Sequence, residues 1–271
     1  MDNNIITPIT LRKKILEMIY KARVSHIGAA FSVVDILYVL YFKVANINKE
    51  NIKSISRDKI ILSKGHASAA LYTTLCYKNL LPMEYLDSYC VNGGKLPCHI
   101  DKDVAPCLDA STGSLGHGLG IACGLALASK NDKLNNHIFV ILGDGECNEG
   151  SVWEAIMFAV SKNLSNLTII VDKNNLQAMG YNNDIIKQDN LLKQFESFGC
   201  FAISVNGHNL EEIENALNIK KDKPVVIIAN TIKGKGVSFM ENRLEWHYKS
   251  PSKEQYEQAM EELEKQENSH A

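Results

Sequence analysis

The chain has 271 residues, 45% of them hydrophobic, enough apolar material for one sizeable core. Lys and Arg number 29 against 31 Asp and Glu, a formal net charge of −2, which argues against a mainly electrostatic nucleic-acid binder. The apolar stretches 121–128 and 225–229 fall well short of the roughly 20 residues a membrane-spanning helix needs, so no span is expected.

The N-terminus, Met1-Asp2-Asn3-Asn4, is polar and acidic and lacks a positive segment followed by an apolar run, so the expected location is the cytoplasm. From Thr10, Leu11, Ile15, Met18, Ile19 and Ala22 recur at helical spacing, and Ser32-x-x-Asp35 reads as a capping box opening a second helical run through Leu37 and Leu40. A short strand is expected at 60–62, then a loop at Ser63-Lys64-Gly65-His66 and a helix over 67–77. Seven cysteines, at 76, 90, 98, 107, 123, 147 and 200, include no Cys-x-x-Cys pair, and reduced thiols are the expectation.

The centre predicts a strand at 138–142, a sharp turn at Gly143-Asp144-Gly145, a helix over 152–160 capped by Ser151-x-x-Glu154, and a strand at 167–171. Strand, helix and strand in about 30 residues is the βαβ signature of a parallel sheet. A strand at 201–205, a helix from Asn209 and a strand at 224–229 extend the alternation, 183–190 reads as a polar loop, and 252–267 as a charged amphipathic helix. The expected fold is α/β, a parallel-sheet three-layer arrangement in one domain over 1–271, with ligands at the carboxyl ends of the strands.

Gly143-Asp144-Gly145 and Asp172-Lys173-Asn174-Asn175 each follow a strand, so both turns should face the same sheet edge. A carboxylate from Asp144, an amide oxygen from Asn174 and a nearby backbone carbonyl are three hard oxygens, a set suited to Mg²⁺ shared with substrate phosphates. Gly143 and Gly145 allow close approach of the backbone to an anion, and the following helix N-terminus adds free N–H groups. Lys233 and Lys235 lie between glycines; a phosphate contact and a solvated basic turn are both open, the second being the safer reading. Cys98-His99 with Cys107 fits no zinc spacing.

These turns resemble the thiamine-diphosphate motif, and their surroundings resemble transketolase. The resemblance rests on Ser25-His26-Ile27-Gly28, on Leu62-Ser63-Lys64-Gly65-His66-Ala67-Ser68, on Ser111-Thr112-Gly113-Ser114-Leu115-Gly116-His117-Gly118, and on Lys233-Gly234-Lys235-Gly236-Val237-Ser238-Phe239-Met240 with Trp246-His247. They run in the family's order over nearly the whole chain, but cover only the diphosphate-binding part of a transketolase. The resemblance therefore implies the N-terminal subunit of a split transketolase, active with a partner subunit that carries the pyrimidine-binding domain. The implied assembly is a heterotetramer with two chains of each kind, and the implied reaction passes a two-carbon ketol unit from a ketose, free or phosphorylated, to an aldose, free or phosphorylated.

Carried over residue by residue, the resemblance implies metal binding by Asp144, Asn174 and the carbonyl of Leu176, with Mg²⁺, or Ca²⁺ or Mn²⁺ in its place. Thiamine diphosphate is implied to contact His66, Gly113, Ser114, Leu115, Gly143, Asp144, Gly145, Glu149, Asn174 and His247. His26, His66, His99 and His247 are implied to be catalytic or to bind substrate. Glu149 and Glu154 stand where the family has acidic residues at the contact between active sites, although both also suit a helix N-terminus. Trp246-His247-Tyr248-Lys249-Ser250-Pro251 departs from the family's Trp-His-Gly-Lys-Ala-Pro, and Cys98-His99-Ile100-Asp101 from its His-Pro pair, which implies a sugar other than the usual pentose phosphates. The neighbouring readings are a deoxyxylulose-phosphate synthase, a 2-oxoacid dehydrogenase α chain, against which the Lys-Gly-His-Ala-Ser and Gly-Ser-Leu-Gly-His-Gly segments speak, and a non-catalytic scaffold that binds the cofactor.

Overall fold

A computed structural model describes residues 6–188 and 190–270. The elements in chain order are α1 (Pro8–Ala22), α2 (Ile27–Val39), β1 (Lys59–Leu62), α3 (Ser68–Tyr77), α4 (Gly118–Asn131), β2 (Ile138–Gly143), α5 (Gly150–Ser161), β3 (Leu167–Lys173), α6 (Asn182–Ile185), α7 (Leu191–Ser197), β4 (Phe201–Asn206), α8 (Leu210–Leu217), β5 (Val225–Asn230) and α9 (Lys253–His270). All five strands are parallel, in the order β1-β2-β3-β5-β4.

Strand residues alternate between two apolar layers, as the period-2 geometry of a strand requires. Ile60, Phe139, Ile141, Ile170, Val225 and Ile227 face a core with residues of α1, α2, α3, α8 and α9, while Ile138, Val140, Ile169, Val171 and Val226 face one with α4, α5 and α7. Helices on both faces leave the strand ends as the place where loops meet a ligand. The register puts Gly143 opposite Asp172 and Lys173 opposite Asn230, so the turns after β2, β3 and β5 emerge side by side.

The structure corrects several sequence expectations. Ser32 is not a helix cap: α2 already begins at Ile27, and the buried Ser32 hydroxyl donates to Ala29 O and to the Asp172 carboxylate. Ser151 does not cap α5 either, because its hydroxyl donates to Gly116 O and Glu149 occupies the cap position. In both cases a short polar side chain found a tertiary acceptor, which a capping pattern does not reveal. The loop expected at 183–190 overlaps a short helical turn, α6, while its residue 189 lies outside the described residues, as does the polar segment Met1–Asn4.

Two further corrections concern compartment-related features. Among the described residues the run Ile27–Val44 is long and apolar enough to cross a membrane by length and composition, contrary to the sequence reading; 78% of it is buried, against α1, α3 and α8. The thiols are not all free: Cys90 pairs with Cys98 in a disulfide, and the other five cysteines are buried free thiols. The pairing follows from a loop that folds back on itself. Cys90 N–H donates to Leu96 O at 2.7 Å, and the two cysteine Cα atoms come to 4.9 Å, within the usual reach of a disulfide.

Candidate active site

Four strand ends deliver the polar residues. After β1 come Ser63, Lys64 and His66; after β2, Asp144 to Glu146; after β3, Asn174 to Gln177; after β5, Thr231 and Lys233. His26, at the start of α2, holds a left-handed backbone (φ 76°), which for a residue with a side chain costs about 1–3 kcal/mol and persists only where the surroundings impose it. Its N–H donates to His247 O at 3.0 Å, tying the α2 terminus to the turn that precedes α9.

The four histidines singled out in the sequence meet. Ring centroids of His26 lie 5.3 Å from His66, 6.0 Å from His99 and 5.0 Å from His247, and His66 and His247 are 5.6 Å apart. Burial, then the neighbouring His99, Lys233 and Lys64, pushes His26 down to about 4. Burial and Lys233 push His247 down to about 3, and burial and Lys64 hold His66 well below the usual imidazole range. Neutral imidazoles can each donate and accept a proton, so the cluster presents both functions at one place.

Beneath the imidazoles lies a connected set of oxygens. Asp144 accepts from Gly145 N–H and Asn175 N–H, and the Asn182 side chain also hydrogen-bonds it. Asn174 Oδ1 accepts from Leu176 N–H at 3.1 Å, and Leu176 O accepts from Lys233 Nζ at 3.1 Å. Burial and the nearby Asp172 raise the Asp144 carboxyl above its usual range, the condition of an acid that gains from a cation. Beside it, a Cβ added to Gly145 would meet the Gln177 side chain at 3.2 Å, and the buried Gln177 Nε2 has no hydrogen-bond partner among the described residues. A carboxylate, an amide oxygen and a carbonyl next to an idle N–H donor fit a hard cation shared with an anionic oxygen.

Sequence reasoning left several residues of this site without a role. Lys64 is 1% exposed and makes a buried ion pair with Asp172, which also accepts from Ser32 and Thr231. Burial alone would raise Asp172, but the Lys64 charge and these hydrogen bonds outweigh it and hold the carboxyl below its usual range. Lys233 is no solvated turn: it is 2% exposed, within 3.0 Å of His247 Nδ1, and burial with Lys64 nearby lowers it to about 8. Lys235 instead pairs with Glu241. Glu146 joins three loops by accepting from the Ser63 hydroxyl, Gly116 N–H and Gly143 N–H.

Gly113 needs its glycine. Its φ is 150°, and a Cβ there would stand 3.0 Å from His99 Cδ2. Among the described residues no hydrogen bond links Ser114 or Glu149 to the imidazole cluster; both are exposed, Glu149 beside Gly116 and Ser114 in the turn before α4. Tyr248 is 59% exposed and meets the His247 ring edge-on at 4.9 Å.

Residues 2–268 match the family described as transketolase, thiamine diphosphate binding domain. The chain belongs to that family. It is 41% identical over 259 residues to the 6-deoxy-6-sulfo-D-fructose transketolase subunit SqwG of Clostridium sp. (strain MSTE9), covering 94% of each chain. It is 42% identical over 240 residues to an apulose-4-phosphate transketolase subunit of Actinobacillus succinogenes (88% of this chain, 87% of the relative). Among solved structures, transketolase from Campylobacter jejuni superposes with a TM-score of 0.89 at 32% identity, over 95% of this chain and 42% of that one. The chain therefore spans under half the length of that transketolase, and nearly all of the two transketolase subunits.

Proposed function

We propose that this chain is the thiamine-diphosphate-binding subunit of a two-subunit transketolase, and that with a partner carrying the pyrimidine-binding domain it moves a two-carbon ketol unit from a ketose, free or phosphorylated, to an aldose, free or phosphorylated. One observation carries the reading: His66, His99 and His247 gather 5.0–6.0 Å from His26, over the strand ends that bear Asp144, Asn174 and Leu176. The names of three relatives, each a transketolase subunit of comparable length, support it.

In this reading Asp144, Asn174 Oδ1 and Leu176 O hold a divalent cation, Mg²⁺ or Ca²⁺ or Mn²⁺ in its place, which carries the diphosphate of thiamine diphosphate. When bound, thiamine diphosphate supplies the carbon nucleophile that accepts the two-carbon fragment. The chain's own contribution is position and protons. Lys233 and Gln177 offer N–H donors to anionic oxygens beside the cation; Gly113, whose backbone lies against Gly65, is assigned with Ser114 and Leu115 to the ring side of the cofactor; and Gly143, Gly145 and Glu149 are assigned to the diphosphate side. His26 and His99 hold sugar hydroxyls, while His66 and His247, kept neutral by burial, accept a proton from a hydroxyl and return it to the developing alkoxide.

The exposed Tyr248, edge-on to the His247 ring, is assigned a part in selecting a sugar other than the usual pentose phosphates. Glu149 and Glu154, at the start of α5, are assigned to the subunit contact in a heterotetramer of two chains of each kind, working in the cytoplasm. The reading is tested by purifying the chain from its host and identifying bound partner and cofactor by mass spectrometry, followed by a screen of ketose donors that includes 6-deoxy-6-sulfofructose and apulose 4-phosphate. Recovery of a partner with a pyrimidine-binding domain, thiamine diphosphate and ketol transfer is expected. Recovery of the chain alone, with no cofactor taken up on addition of Mg²⁺, overturns it in favour of a scaffold.

A further inference from the structure

The turn that leaves β5 carries Lys233, and its backbone is tied down residue by residue. Thr231 N–H donates to Lys173 O at 2.9 Å, and Gly234 N–H donates to Gly28 O at 3.0 Å. Between them, Ile232 N–H donates not to a carbonyl but to His208 Nε2, at 2.8 Å, a side chain from the loop between β4 and α8. A ring nitrogen that accepts an N–H carries no proton itself, so the imidazole proton sits on Nδ1. Nδ1 faces Asp35 Oδ2 at 2.6 Å, and the Asp35 carboxylate is gripped by both terminal nitrogens of Arg12. The His208 side chain is 12% exposed and lies outside the four-imidazole cluster.

We infer that His208 is a positioning residue for Lys233. Asp35 orients the ring and fixes its tautomer, Nε2 pins the amide before Lys233, and the pinned turn aims the Lys233 ammonium at Leu176 O and His247 Nδ1. Arg12 in α1, Asp35 in α2 and His208 beside α8 thus reach the catalytic edge through one backbone N–H. What Lys233 then does for the cofactor rests on the proposed function; that His208 holds Lys233 in place does not.

Two variants divide the two hydrogen bonds. His208→Asn places an amide N–H where Nδ1 stands and keeps the donor to Asp35, but offers nothing to Ile232. His208→Gln reaches to the Nε2 position with an acceptor for Ile232 and gives up the bond to Asp35. The first readout is acylation of lysines in the full chain by an amine reagent, mapped by mass spectrometry. Lys233 is expected to stay protected in the wild type and in His208→Gln, and to become at least about tenfold more reactive in His208→Asn, since an ångström of misplacement at such a site is a large change. Equal protection in both variants overturns the inference. Should His208→Asn fail to fold, His208→Gln alone still decides, because Lys233 labelling there at the rate of an exposed lysine also overturns it.

The second readout is thiamine diphosphate affinity of the reconstituted complex with Mg²⁺. His208→Asn is expected to weaken it, His208→Gln to restore it, and His208→Asn placed in a Lys233→Met background to add almost nothing, the mark of two residues acting as one. A loss in His208→Asn that adds in full to that of Lys233→Met is the pattern of a merely structural histidine. Failure of the wild-type complex to bind thiamine diphosphate removes the proposed function but leaves the labelling result standing.

Discussion

At the scale of single residues, the site is governed by burial acting on charge. Asp144 is raised by burial and by Asp172, so a cation beside it relieves an unfavourable arrangement. Asp144→Ala is accordingly expected to abolish Mg²⁺-dependent thiamine diphosphate binding in calorimetric titration, and retained affinity excludes the metal assignment. The imidazoles titrate out of their usual range: His26 near 4 and His247 near 3. Between about 6.5 and those values the unfolded chain binds more protons than the folded one, so their share of stability is complete above about pH 6.5 and is lost as pH falls through the window. Histidine NMR titration of the cofactor-free protein is expected to show neither ring protonating between pH 8 and 5. A midpoint near 6.5 for either contradicts the burial that the structure gives them.

At the scale of elements, the loops are held by shared acceptors more than by their own turns. Glu146 binds the loop after β1 through Ser63, the turn before α4 through Gly116, and its own turn through Gly143. Removing one carboxylate leaves a buried N–H at Gly116, a half-buried N–H at Gly143 and the buried Ser63 hydroxyl without this acceptor, the buried ones each worth roughly 1–3 kcal/mol when orphaned. Glu146→Ala is therefore expected to lower unfolding free energy by at least about 2 kcal/mol in urea titration, and to weaken cofactor binding as the three loops separate. A variant as stable as the wild type means that the loops are held elsewhere.

At the scale of the whole molecule, the parallel sheet brings four distant sequence segments to one edge and leaves helices on both faces. Packed against each other, α4 and α5 expose Ile121, Met157 and Phe158, apolar groups that a partner subunit would cover. If the proposed pyrimidine-domain subunit docks there, Met157→Glu is expected to reduce assembly with it in native mass spectrometry while leaving circular dichroism unchanged. Undiminished assembly moves the contact off this helix pair.

The sequence by itself determined the alternation of strands and helices and the turns at Asp144 and Asn174, because strand periodicity and glycine-flanked turns are local signals. His26, His66, His99 and His247 were legible only through the resemblance of their motifs, since nothing in a lone histidine tells a site from a core. Only the tertiary structure decided what depends on contacts between distant segments. Ser32 looked like a cap and proved a donor to Asp172, 140 residues away. Lys233 looked like a solvated turn and proved buried against His247; Cys90 found Cys98 through a folded-back loop; and His208, carrying no motif signal, reached Ile232 across the fold. The reason is physical: a hydrogen bond or ion pair between remote residues depends on where the sheet delivers them, and local propensity carries no record of that.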